Sequence, residues 1–236
     1  MGTLAIDDLD DLRLDLTVAT QRLLGDTMTL SDEDWFEPTG LPGWMRSHVA
    51  THLTQQASAT ERMVRQLDSP EKCLPWCACG SSASVMHGAS RSGLELLEDL
   101  DRSAASLMNA FDAMASHAWD HSLLTSQGVL PAKALALVRL NELILHHVDL
   151  RVGPTLADIE PRVAEILLAW NLFRAEPRFT QVRLHVSSDS GNEFTIGTGV
   201  DTSISGSTTF LLGWITGRMD STAVLGAEGL NLGAPV

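Results

Sequence analysis

Along the first 150 positions apolar residues recur mostly every third or fourth place with polar residues between them, the period of helices buried on one face. Over residues 7–24, Leu9, Leu12, Leu14, Leu16, Val18, Leu23 and Leu24 alternate with acids and predict a first amphipathic helix. Ser31, followed three places later by Asp34, marks a short capped helix. That helix stops at Pro38-Thr39-Gly40-Leu41-Pro42-Gly43, a run too rich in Pro and Gly to be anything but loop. Residues 44–67 contain neither Pro nor Gly, and Val49, Leu53, Met63, Val64 and Leu67 line one side of a second long helix. Residues 68–90 turn to Pro, Cys, Gly and Ser and predict a long surface loop. A third helix is expected over residues 94–114. A further loop with His117, His121 and Gly128 then leads to Pro131, which suits the first turn of a fourth helix reaching about Val152. Four long helices with two extended connections predict a helix bundle.

The pattern changes after Gly153-Pro154, which divides the chain into residues 1–153, the bundle, and residues 154–236. In the second part residues 161–175 read as helix, and Val182, Leu184 and Val186 alternate with Arg183, His185 and Ser187 as in a half-buried strand. Ser190-Gly191-Asn192 signals a hairpin turn before the strand Glu193-Phe194-Thr195-Ile196. Residues 202–205 suit a third strand, and Ser207 caps a helix running to Gly217. The expected fold class is α+β: an N-terminal four-helix bundle followed by a smaller α+β domain.

Composition narrows the partners. Thirty Asp and Glu against 16 Lys and Arg leave a net charge of −14, so a phosphate backbone or an anionic membrane surface is repelled. The longest apolar stretch, residues 140–150, is broken by Asn141, Glu142, His146, His147 and Asp149, and no stretch approaches the roughly 20 residues that span a bilayer. The first 16 residues carry Asp7, Asp8, Asp10 and Asp11 where an export signal has a basic flank and an apolar run. Cys73, Cys77 and Cys79, an odd and clustered set, do not read as a disulfide framework. A cytoplasmic protein without nucleic-acid or membrane partners is expected.

Glu142 and His146 stand four apart on the fourth helix, so both project from one face, and they are surrounded by Leu140, Leu143, Ile144, Leu145 and Val148. A carboxylate and an imidazole in apolar surroundings have to be paired, neutralised or bound to a cation. A third ligand is available from His48 or His52 on the second helix, and either completes a two-histidine, one-carboxylate set suited to Zn²⁺ or a similar divalent ion. Core or boundary imidazoles bonded to carbonyls are the other reading of these histidines. Asp149, three residues after His146, suits an orienting partner or a surface acid. Cys-x3-Cys-x-Cys matches no common zinc spacing and reads as packing or surface thiols, and His117 and His121 read as surface groups. Lys72 and Arg91 border the loop without a role that the sequence decides. Gly197-Thr198-Gly199 lacks the further glycine of a phosphate-binding loop.

The run Leu41-Pro42-Gly43-Trp44-Met45-Arg46-Ser47-His48-Val49-Ala50-Thr51-His52, with the later Glu142-Leu143-Ile144-Leu145-His146-His147-Val148-Asp149-Leu150, closely resembles the mycothiol-dependent maleylpyruvate isomerase family. That family lies within the DinB-like group of metal-binding four-helix bundles. Ile204-Ser205-Gly206-Ser207 and Thr216-Gly217-Arg218 resemble the family's C-terminal α+β domain, so nearly the whole chain is covered. The resemblance implies that His52, Glu142 and His146 are the metal ligands, with His48 set aside, and that Zn²⁺ takes the thiol of mycothiol. The thiolate adds to a conjugated cis double bond, the resulting single bond rotates, and elimination returns the trans isomer and the thiol; related S-transferases stop after addition or substitution. Arg218 matches an arginine that binds or polarises the acidic substrate. A second substrate-binding arginine of the family has no counterpart, since residues 66–90 contain none and Ser81 falls near its place, which implies a changed substrate. The resulting expectation is an enzyme acting on a small electrophile with a thiol. The contrasting expectation is a non-catalytic regulator that binds a ligand or partner on the same fold and carries no metal.

Overall fold

A computed structural model describes residues 9–67, 82–125 and 128–230. One compact unit of the chain ends at Gly153 and the other begins at Pro154. The first contains α1 (Leu9–Thr27), α2 (Arg46–Gln66), α3 (Ser82–Gly88), α4 (Gly93–Asp112), a hairpin of β1 (Ser122–Thr125) and β2 (Gly128–Pro131), and α5 (Ala134–Leu150). Helix α2 packs against α4 and α5, and α1 against α5 and α4.

Each long helix follows from a local signal. At α4, Ser92 accepts from the backbone N–H of Glu95 while the Glu95 carboxylate accepts from the Ser92 backbone, a reciprocal cap. The residues that follow bury Leu96, Leu100, Leu107 and Phe111 on one stripe. Ser31 and Asp34 bond in the same reciprocal way and start the short 3₁₀ helix Asp34–Phe36, which drives Trp35 into the core. Helix α5 differs from the others, because its leucines at 135, 137, 140, 143, 145 and 150 are buried around nearly its whole circumference. Arg139, Asn141, His146, His147 and Asp149 are buried with them, and such groups require partners.

Two connections differ from expectation. Pro131 is not in the first turn of the fourth helix; it closes β2, paired with Ser122, and the helix starts at Ala134. A period-two pattern explains this: Leu123 and Leu130 are buried as a cross-strand pair, while Leu124 and Val129 face solvent as the next one. The stretch expected as loop over residues 68–90 contains α3, whose Gly88 lies so close to α2 that a Cβ there would sit 2.5 Å from Thr51 Cγ2. Lys72, Cys73, Cys77, Cys79 and Ser81 lie outside the described residues. On α1, Leu14 and Val18 face solvent, not the core.

The second unit is built on α6 (Pro161–Ala175), β3 (Val182–Ser188), β4 (Glu193–Gly197), β5 (Val200–Gly206) and α7 (Thr208–Ile215). The sheet order is β4-β3-β5, with β4 antiparallel and β5 parallel to β3. Its core joins Leu168 and Leu172 of α6, Leu184, Val186, Ile196 and Ile204 of the strands, and Leu211 and Trp214 of α7. Gly197-Thr198-Gly199 carries the chain from one side of β3 to the other around its entry, and both glycines have positive φ, 77° and 109°. A Cβ at Gly199 would lie 2.2 Å from the Gln181 carbonyl oxygen, so the crossing admits only glycine there. Ser207 caps α7 by accepting from Phe210 N–H.

Candidate metal centre

The site is assembled by fixing the start of α2 to the end of α5. Gly43, at φ 78°, turns the loop back so that Thr39 N–H donates to the Trp44 carbonyl at 2.9 Å. Gly40 N–H donates to the Asp149 carbonyl at 2.8 Å, and Arg46 Nε donates to the Leu150 carbonyl at 2.9 Å. Arg46 also gives Nη1 to the Asp34 carbonyl at 3.0 Å. These bonds satisfy carbonyls at the end of α5 that have no acceptor role inside the helix.

Two turns into α2, His52 meets α5. Its Nε2 donates to Glu142 Oε2 at 2.9 Å, and His146 Nε2 faces the same oxygen at 3.3 Å. The two imidazole rings cross nearly at right angles with centroids 4.7 Å apart. The ligating atoms of His52, Glu142 and His146 all lie within 4.8 Å of one another. Trp44 closes one side, its ring 5.7 Å from that of His52 in an edge arrangement. The His52 and Glu142 side chains keep 18% and 16% of their surface exposed, so the cluster is reachable from solvent.

On the inner side, His146 Nδ1 donates to Asp149 Oδ2 at 2.8 Å, and Asp149 is buried. Both nitrogens of His146 therefore face carboxylates. Burial lowers the His146 pKa, but hydrogen bonds and charge from Asp149 and Glu142 outweigh it and raise the value above the ordinary imidazole range. Burial likewise pushes the Glu142 carboxyl up, and the bonds and charges of His146 and His52 hold it well below the usual carboxylate range. Glu142 Oε2 thus lies between the two rings, 2.9 Å from His52 Nε2 and 3.3 Å from His146 Nε2.

The other histidine of α2 is separated from this cluster by its bonding. His48 Nδ1 accepts from Met45 N–H at 3.0 Å and so helps cap α2, and burial lowers its pKa. His147, the residue after His146 on α5, pairs instead with Asp26 of α1 at 3.0 Å. Among the described residues no other three His, Cys, Asp or Glu groups converge in this way. His117 and His121 have rings 5.6 Å apart near the surface. Arg91 is tied into the bundle, donating Nε to the Gly88 carbonyl at 2.7 Å and pairing with Asp99. Arg218 belongs to the second unit, just past α7; its N–H donates to the Gly213 carbonyl at 2.7 Å and its Nη1 to the Thr216 carbonyl at 3.2 Å.

The sequence reading passed over Arg46 and the wall formed by Trp44. Arg46 carried a usable signal, a cation two residues ahead of the histidine series and just after a loop built of Pro and Gly.

The donor set fits a divalent ion. Two imidazoles and one carboxylate supply borderline nitrogen and oxygen ligands, and three protein ligands with a solvent-facing side leave a position open, as catalytic zinc sites do. The Asp149 bond to the far nitrogen of His146 fixes the tautomer that presents Nε2 to a metal.

Residues 16–151 match the sequence profile "Mycothiol maleylpyruvate isomerase N-terminal domain". Two solved structures share the whole fold. A crystal structure of the mycothiol-dependent maleylpyruvate isomerase superposes with a TM-score of 0.83 at 22% identity, covering 100% of this chain and 99% of that one. A crystal structure of a mutant of the same enzyme, with one histidine changed to alanine, superposes with a TM-score of 0.82 at the same identity and coverage. No curated protein sequence matches.

Proposed function

The chain belongs to the mycothiol maleylpyruvate isomerase family, and from that premise we propose that it is a metal-dependent enzyme using mycothiol on an electrophilic small molecule. The observation that carries this reading is the convergence of His52, Glu142 and His146 from two helices onto one point open to solvent. These three residues would hold the ion, with zinc the expected one from the donor set. Bound there, a divalent ion supplies the acidity that converts a coordinated thiol to the thiolate, the nucleophilic form.

The protein's own groups do the rest of the positioning. Asp149 keeps His146 in the tautomer whose Nε2 faces the centre, and the Gly40 and Arg46 bonds keep α2, and with it His52, against α5. Glu142 stays ionised at every physiological pH because both imidazoles favour its charge. We assign Arg218 the role of meeting the acidic group of the substrate, as the family resemblance implies. Residues 66–90 offer no second arginine, which supports an electrophile other than maleylpyruvate itself. The expected compartment is the cytoplasm; no helix among the described residues is long and apolar enough to cross a membrane.

The test is direct. Zinc-loaded protein is incubated with mycothiol and a panel of cis-configured conjugated acids and ketones, and products are followed by mass spectrometry and NMR. A trans isomer with thiol recovered identifies an isomerase, and a stable thioether identifies an S-transferase. Wild-type protein that binds no divalent ion, or whose turnover is unaffected by removing the ion, overturns the reading.

A further inference from the structure

Helix α5 carries a guanidinium in its most apolar stretch. Arg139 is 2% exposed and lies three residues before Glu142, which puts it on the same face one turn away. Its Nη1 donates to the Leu53 carbonyl at 2.9 Å and to Gln56 Oε1 at 2.7 Å, and Gln56 Nε2 donates onward to Thr60 Oγ1 at 3.1 Å. Leu53 is the residue directly after His52. On the other side of the centre, Arg46 reaches from α2 to the Leu150 carbonyl. The two helices run antiparallel, and each arginine ties one helix to a backbone carbonyl of the other, on either side of the His52 to Glu142 bond.

A bond to a backbone carbonyl fixes position along a helix axis whatever the neighbouring rotamers do. Packing of leucines alone does not, because a slide by one turn, about 5.4 Å, presents another ridge of similar side chains. Such a slide of one turn exceeds the 2.9 Å between His52 and Glu142 and takes the two out of reach of each other. Burying a guanidinium is also costly, and a Met side chain of similar length would fill the space without stranding a charge. Bundle stability alone therefore gives no reason for an arginine at this position.

We propose that Arg139 is a positioning residue of the metal centre: acting opposite Arg46, it sets the register of α2 on α5 and thereby holds His52 over Glu142 and His146. This inference rests on the reading of the cluster as a metal centre, and its test is chosen to separate the two. Arg139→Met and Arg139→Lys are compared with wild type and with Leu107→Ala, a core truncation in α4 that removes neither arginine and none of the acceptors named above. Co²⁺ affinity is measured by its visible absorption band. The contact between the His52 and His146 rings is measured in metal-free protein as a proton NOE.

Arg139→Met, folded by circular dichroism, is expected to lose at least about tenfold in Co²⁺ affinity and to lose the ring contact. Arg139→Lys, which keeps one donor, falls between it and wild type, and it carries the test if Arg139→Met does not fold. Leu107→Ala melts at lower temperature with affinity and contact unchanged. The proposal is overturned if the Arg139 variants keep wild-type affinity and contact, or if Leu107→Ala loses as much as they do. Should wild type bind no Co²⁺, the metal reading fails and the ring contact alone decides: its loss on replacing Arg139 supports the register role, and its retention overturns it.

Discussion

Asp149 stands at the point where the site's chemistry and its mechanics meet. Its carboxylate accepts from His146, and its carbonyl accepts from Gly40 in the loop that leads into α2. Asp149→Asn keeps the shape and removes the charge, so it is expected to weaken zinc affinity by about 10- to 100-fold in competition with a chromophoric chelator. The direction of the His146 shift sets the pH dependence. Its pKa is raised in the folded, metal-free protein, so the stability it contributes is complete below about pH 6.5, the unfolded value, and is lost as pH rises through the raised one. Metal competes with that same proton. The gap in melting temperature between zinc-loaded and metal-free protein is therefore expected to widen from about pH 6 to about pH 8, and a gap that narrows with rising pH contradicts the assignment. That Glu142 and His146 share one face and need partners was legible in the sequence, from their spacing of four inside an apolar run. The choice between His48 and His52 was not legible from spacing alone. It depends on Met45 N–H occupying His48 Nδ1, a bond that exists only once the loop has turned at Gly43. The sequence reading also gave Arg139 no role, since its acceptors lie on another helix.

At the scale of elements, the long helices were readable because each combines a stripe of buried leucines with a local start signal. The Ser92 cap of α4 is representative. Ser92→Ala removes an acceptor for Glu95 N–H and is expected to cost about 1 kcal/mol in urea unfolding. Helix α3 was hidden because seven residues of Ser, Ala, Val, Met, His and Gly show no period, and it is held by its seat on α2. Gly88→Val is accordingly expected to lower stability by about 1–3 kcal/mol, since its side chain would enter the space of Thr51. The β1–β2 hairpin was missed for another reason. Pro131 is a good helix starter by local rules, but its place is fixed by pairing with Ser122. In the second unit the alternation in β3 and the turn at Gly191 were enough to read the hairpin, whereas the parallel partner β5 extends beyond the residues that its own pattern marked.

For the molecule as a whole, the excess of 30 acids over 16 bases opposes the approach of any anion. This gives a way to learn the substrate's charge from rates alone. For an anionic electrophile kcat/KM is expected to rise as salt screens the repulsion, and for a neutral one to stay nearly flat, measured between about 20 and 300 mM ionic strength. The division at Gly153 and Pro154 leaves all three candidate ligands in the helical part and Arg218 in the other, so the proposed ion uptake needs only residues of the helical part. One feature of that part reaches beyond catalysis. Because the indole of Trp44 stands beside the His52 ring, a paramagnetic ion such as Co²⁺ bound at the proposed centre is expected to quench its ultraviolet emission, which turns that indole into an optical gauge of occupancy.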